Sequence, residues 1–366
     1  MQNTRVRVAL LTPPGRGALA VVGVAGPDAI EAVERLFTPR GGVLLRDRPD
    51  GAIAFGRWGD SDRGEELVVI RRSAASLEVH CHGGLAASEA VIRGLESLGC
   101  LRQPWRDWLA AGGATEIEVE AREALARAGG PKAARILSRQ LAGALQQELD
   151  RVRSLEVAGD RAAAQAAVDR MRRASRVGLR LTRPWRVVVA GEVNAGKSSL
   201  VNAIAGFARS IVSAEPGTTR DLLETRLVLD GWEVDLIDTA GLREDDVGGV
   251  ERAGIARGIA ATADADLVLR VVDATSASGR TGFSQSARAE ILVLSKCDQC
   301  PGHTFGIEHA IRTSSVTGQG IDELVAVIVR RLVPEEEDDP TLLAGAVPFT
   351  ERQLSRPKSP SRKRRG

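Results

Sequence analysis

The chain has 366 residues, 43% of them hydrophobic, and a formal net charge of +2, which predicts two or three ordinary cored domains rather than a disordered polyelectrolyte. With aromatic residues at 3% and no tyrosine, composition advertises neither whole-chain nucleic-acid binding nor a base-stacking platform. Four cysteines (Cys81, Cys100, Cys297, Cys300) are too few for a disulfide scaffold, and no stretch is apolar enough to span a bilayer, so a cytoplasmic, reducing location is the expectation.

Arg5 and Arg7 precede a short apolar run that could open a secretion signal, but Pro13, Pro14 and Arg16 interrupt it. Residues 6–25 read instead as a strand, a PPGRG turn and a second strand. Asp28 is placed to cap a helix over 29–37, with Ile30, Val33, Leu36 and Phe37 on one face. Strands are expected at 51–58, 66–71 and 77–82, then a helix over 85–98, which makes an α+β domain of residues 1–112. His80 and His82 share one strand face with Cys81 on the other, too few ligands for a zinc site; close backbone approach at Gly83-Gly84 is the expectation.

Residues 113–183 are rich in Ala, Arg, Glu, Gln and Leu and predict a helical domain. Ile136 or Leu137, Leu141, Leu145, Leu149 and Val152 form one apolar stripe, and a second helix is expected over 160–181 with a solvated arginine face.

Residues 184–333 predict the nucleotide domain. A buried strand at 187–190 runs into G-x-x-x-x-G-K-S from Gly191 to Ser198, and helical spacing follows from Ser199. Backbone N–H groups along Gly191, Asn194, Ala195 and Gly196, together with the helix start, can face a polyphosphate. Lys197 would reach the β and γ phosphates and Ser198 would hold Mg²⁺. Thr218 and Thr219 in PGTTRD can sense the γ-phosphate through Mg²⁺. A strand at 234–237 delivers Asp238 to support Mg²⁺, and Gly241 offers a backbone N–H to the γ-phosphate. Further strands at 265–272 and 291–294 precede Ser295-Lys296-Cys297-Asp298. The Asp298 carboxylate accepts from the ring N–H and exocyclic amine of guanine, which adenine lacks in that arrangement, so GTP and GDP are the expected ligands. Ser295 stands where the usual pattern begins with Asn, and Ser314-Ser315 fits the loop that backs the base. Leu242 follows Gly241 where a water-orienting glutamine often stands, leaving Asp245, Asp246 and Glu251 as the available carboxylates. Cys297, Cys300 and His303 fall short of a zinc ligand set.

Residues 334–366 carry an acidic run at 335–339 and a basic Ser/Pro-rich tail at 356–365. Both are expected to be disordered, and the tail could make phosphate contacts.

The motifs PPGRGALAVVGVAGPDA, EVHCHGG, GEVNAGKSSLVNAI, PGTTRD, IDTAGLRE, VERAGI and SSVTGQGIDEL together resemble the MnmE (TrmE) family of tRNA-modification GTPases. The resemblance implies a multidomain fold: an N-terminal α+β domain that binds folate and dimerises, an α-helical domain, and an α/β P-loop GTPase domain of the Ras-like, TrmE-Era-EngA type. It further implies a homodimer whose GTPase domains meet when GTP binds, and Asn194 helping to hold a K⁺ ion. Glu251, in Val250-Glu251-Arg252, would orient the attacking water. Work on tRNA with an FAD-containing MnmG-like partner is implied too, with a tetrahydrofolate derivative supplying the one-carbon unit for C5 of the wobble uridine. The chain departs from the family at RRSAASLEVHCHGG, which lacks a tyrosine-containing segment, and at QPWRDWLAAGG, which replaces a PGEFT-type motif. It ends RKRRG where the family ends C-I-G-K. These departures raise the further expectation of a GTP-dependent binding switch without the modification chemistry, and the fold superfamily with the basic tail raises that of a ribosome-assembly GTPase.

Overall fold

The computed structural model describes residues 6–13, 17–59, 64–211, 224–238, 264–276, 290–300 and 310–354. The chain divides into two compact units, Met1–Val119 and Glu120–Gly366.

The first unit is built on a seven-stranded sheet of β1 (Arg7–Leu10), β2 (Leu19–Ala25), β3 (Phe37–Pro39), β4 (Ile53–Trp58), β5 (Glu65–Ser73), β6 (Ser76–His82) and β7 (Leu101–Arg102). Their spatial order is β3-β4-β5-β6-β2-β1-β7. All pairings are antiparallel except β1 with β7. Alternation sets the faces: Val22, Val24, Val69, Leu77 and Val79 point into a core with α1 (Ala29–Glu34) and α2 (Leu85–Ser97), where Val33, Val91, Ile92 and Leu95 are fully buried. Helix α1 is shorter than its apolar spacing predicts. Phe37 leaves the helix to pair with Trp58 as an edge strand, and Asp28 makes no side-chain cap.

Helix α3 (Trp105–Ala111) lies on the other sheet face and seats Trp108 on Gly23, where any Cβ would come 2.6 Å from the indole. Gly83 shows the expected close approach: a Cβ there would fall 1.8 Å from the Gly17 carbonyl, and its N–H donates to Ala18 O at 3.0 Å. His80 instead contacts Glu78 at 3.1 Å and His82 contacts Glu65 at 2.8 Å. Helix α4 (Glu116–Leu125) starts with a capping box, in which Thr115 Oγ1 accepts from Glu118 N and Glu118 Oε2 accepts from Thr115 N.

The second unit holds α5 (Pro131–Leu141), α6 (Ala144–Ala158) and α7 (Arg161–Gly178). The apolar stripe that reads as one helix is broken at Gly143, whose φ of 100° lies in the left-handed region. A six-stranded sheet follows, ordered β13-β12-β11-β8-β10-β9. Its strands are β8 (Trp185–Gly191), β9 (Glu224–Leu229), β10 (Trp232–Asp238), β11 (Leu267–Asp273), β12 (Glu290–Ser295) and β13 (Ile311–Arg312). Only β9 is antiparallel. Helix α8 (Lys197–Ile211) packs on β8, β9 and β10, and α9 (Ile321–Leu332) packs on α8 and β11.

The acidic run is a short helix, α10 (Glu335–Asp338), and so departs from the disorder expected of it. Two of its carboxylates pair with distant cations: Arg176 donates to Glu335 at 2.5 and 2.6 Å, and Lys132 pairs with Glu336 at 2.9 Å. Arg176 on α7 also reaches Leu332 O at 2.9 Å, so the arginine face expected to be solvated is partly engaged.

The chain then folds back on the helices through residue 354. Buried Gln140 donates to Gly345 O and accepts from Val347 N, both at 3.2 Å. In α11 (Glu351–Leu354), Arg352 forms a bidentate pair with Glu120, each bond 2.8 Å. The basic tail lies outside the described residues. No described helix is long and apolar enough to cross a membrane.

Candidate nucleotide site

Four parallel strands end at one place. Register puts Asp238 of β10 beside Val189 of β8, Gly191 of β8 beside Val271 of β11, and Asp273 of β11 beside Ser295 of β12. Ligands of open parallel sheets bind outside such carboxyl ends. The loop from Gly191 to Gly196 rises there and enters α8 at Lys197, two residues before the predicted start.

Gly191 is required by packing: its φ is 158°, and a Cβ would lie 2.2 Å from Val271 O. Asn194 and Gly196 both adopt positive φ (63° and 87°), which turns the loop backbone. Asn194, Ser198 and Ser199 are exposed, while Ala195 and Lys197 are buried. The Lys197 ammonium donates to Gly191 O at 3.2 Å and Glu192 O at 2.7 Å, which holds its charge inside the loop.

Ser198 Oγ donates to Asp238 Oδ2 at 2.5 Å. Two hard oxygen donors meeting beside a phosphate loop fit Mg²⁺, whose sites combine few protein oxygens with phosphate oxygens. Thr219, the third predicted Mg²⁺ residue, lies outside the described residues, as do Thr218, Gly241 and Glu251.

At the end of β12, Ser295 is 2% exposed, and its hydroxyl donates to Ala195 O at 2.6 Å, with Val272 O at 3.2 Å. Lys296 takes a left-handed φ of 58° and sends its ammonium to Asn194 O (2.8 Å) and Asp273 Oδ2 (2.6 Å). Burial pushes the Asp273 carboxyl up, but hydrogen bonds from Lys296 and Thr275 outweigh it and hold the group below the usual carboxylate range. Asp298 sits half-buried in a 3₁₀ turn over Cys297–Gln299. Ser314 is fully buried, and its Oγ accepts from Val316 N and Thr317 N, fixing the loop that also carries Ser315. Cys297 and Cys300 donate weakly to Leu294 O and Ala274 O; no metal-binding group of three or more His, Cys, Asp or Glu occurs among the described residues.

Residues 186–296 match the family model described as a 50S ribosome-binding GTPase. Over most of its length the chain is similar to proteins named tRNA modification GTPase MnmE. The Symbiobacterium thermophilum protein is 32% identical over 373 residues, covering 88% of this chain and 81% of that one. The Cereibacter sphaeroides protein is 33% identical over 362 residues, covering 89% and 81%. The chain belongs to the MnmE family. Its nucleotide domain is a P-loop GTPase domain, and membership makes it a GTP-hydrolysing enzyme. Among solved structures, the G domain of the T. maritima FeoB iron transporter matches 41% of the chain and 99% of that domain at 28% identity, with a TM-score of 0.30.

In this family member the structure brings Ser198 and Asp238 together beside the loop that holds Lys197. It brings Asn194, Ala195, Ser295 and Lys296 together through direct hydrogen bonds. Sequence reasoning missed Asp273, the carboxylate that fixes Lys296. Its signal was position: like Asp238, it is the last residue of a buried strand running toward the loop.

Proposed function

We propose that this enzyme hydrolyses GTP with K⁺ stimulation, through dimerisation of its GTPase domains, in modification at C5 of the tRNA wobble uridine. The observation that carries the catalytic part is the Ser198–Asp238 contact beside the inward-held Lys197. The tRNA part is supported by family membership at 81% coverage of the relative. Lys197 exchanges its two loop carbonyls for phosphate oxygens and balances the charge that develops on the leaving group. Ser198 and Asp238, with Thr219, would hold Mg²⁺, which neutralises phosphate charge when bound. Asn194, exposed at the loop crest, would contribute to a K⁺ site, and Glu251 would orient water. A homodimer and an MnmG-like FAD partner complete the proposal.

The test is GTP turnover in K⁺ against Na⁺ with oligomer size followed in parallel. Stimulated turnover that disappears in Asn194→Ala and Glu251→Ala supports the proposal; tight GTP binding with slow, cation-indifferent turnover counts against it. That second outcome fits a GTP-dependent binding switch without folate chemistry. It is favoured by one observation: the segment replacing the PGEFT-type motif folds as α3 and lays Trp108 directly on Gly23 of the N-terminal sheet.

A further inference from the structure

We infer that Ser295 is a positioning residue for the phosphate loop rather than a reader of the base, so no side chain of segment 295–298 donates to guanine N7. The inference rests on the GTPase reading and deepens it. Guanine presents two chemically distinct edges: donors at N1 and the 2-amine, and acceptors at O6 and N7. An ionised carboxylate only accepts, so Asp298 can read the donor edge and nothing else. The N7 position needs a donor from the protein.

The segment 295–298 holds two side-chain donors besides its thiol, and both are turned away. A serine hydroxyl has one hydrogen, and at Ser295 it lies 2.6 Å from Ala195 O in a position only 2% exposed. The Lys296 ammonium is held between Asn194 O and the Asp273 carboxylate. Both therefore grip consecutive carbonyls of the phosphate loop, at the two residues just before Gly196. The left-handed φ of Asn194 sits inside this grip. Serine is too short to hold the loop and extend past it to the purine.

The test compares GTP, 7-deaza-GTP and inosine triphosphate on the full-length protein, in binding and in turnover. The wild-type enzyme is expected to use 7-deaza-GTP within about twofold of GTP, because no hydrogen bond is lost. Inosine triphosphate, lacking the 2-amine, is expected to fall by about 10-fold or more, the scale of a bond to a charged acceptor. Ser295→Ala is expected to raise KM for GTP and 7-deaza-GTP equally, by about 3–10-fold, with Ser295→Thr restoring it because the hydroxyl returns. A wild-type loss on 7-deaza-GTP of about 10-fold or more would overturn the inference. So would indifference to inosine triphosphate, or a Ser295→Ala effect confined to GTP. Failure to bind any of the three nucleotides would overturn the GTPase reading itself. The analogue comparison needs no substitution and so does not depend on a variant folding.

Discussion

The two sheets of this protein use their strands differently. In the N-terminal unit, antiparallel strands alternate direction, so both ends of the sheet mix strand starts with strand ends. Alternation there buries one face around Val22, Val69 and Val79 and leaves Ile53 and Phe55 exposed on the other. In the second unit, β8, β10, β11 and β12 all run the same way. Their last residues (Gly191, Asp238, Asp273, Ser295) converge on one loop. Parallel topology concentrates chemistry at one edge; antiparallel topology spreads packing over a face.

The largest break in that comparison comes from the parallel sheet's outlet. Lys197→Ala is expected to lower kcat for GTP by about 10²–10³-fold, the cost of a preorganised donor to developing charge, with the fold retained by circular dichroism. Asp298→Asn should weaken GTP by about 100-fold, since one charged acceptor of guanine's donors is lost; fluorescent GDP titration measures it. A packing change gives a different readout. Gly178→Ala would set a Cβ 1.9 Å from Pro348 O, so the C-terminal strap must lift, and a loss of about 3 kcal/mol in unfolding free energy is expected. Gly206→Ala on α8 meets nothing within 4 Å and should stabilise by about 0.5–1 kcal/mol, the helix propensity difference.

The smallest effects concern titration. Asp273 carries a lowered pKa, so its pairing with Lys296 is complete above the ordinary carboxylate range and is lost only as pH falls through the lowered value. GDP affinity of wild type should therefore be flat from pH 7 to about 5 as far as this pair decides it; Asp273→Asn should be weaker throughout. In the antiparallel sheet, burial pushes the Cys81 thiol up to about 11. Alkylation at pH 8 should spare Cys81 in the folded protein and reach it in denaturant.

Legibility in the sequence followed the range of the interactions. The four parallel strands β8, β10, β11 and β12 were readable because each is a short apolar run ending in chemistry-bearing residues, and the phosphate loop was readable because local spacing defines it; the edge strands β9 and β13 were not read. Helix α1 was overrun because Leu36 and Phe37 continue its apolar spacing; pairing of Phe37 with Trp58, 21 residues away in sequence, decides its end. The break at Gly143 was hidden because Leu141 and Leu145 keep a four-residue spacing across it. The acidic run looked unstructured because its partners, Lys132 and Arg176, lie far back in the chain. Likewise, nothing local to Ser295 announces that its hydroxyl turns to Ala195, a partner 100 residues earlier.

One contact described above changes how the GTPase domain should be thought of mechanically. Arg176, near the end of the helix that leads into this domain, holds both Leu332 O and Glu335 at the place where the chain leaves it. Entry and exit are thus pinned side by side, as in a cassette plugged into a socket. A second tie joins Lys132 of α5 to Asp230 in the turn between β9 and β10 at 2.8 Å, so motion inside the cassette reaches the helices at both places. A graft of this domain onto another host helix pair would need to reproduce both ties.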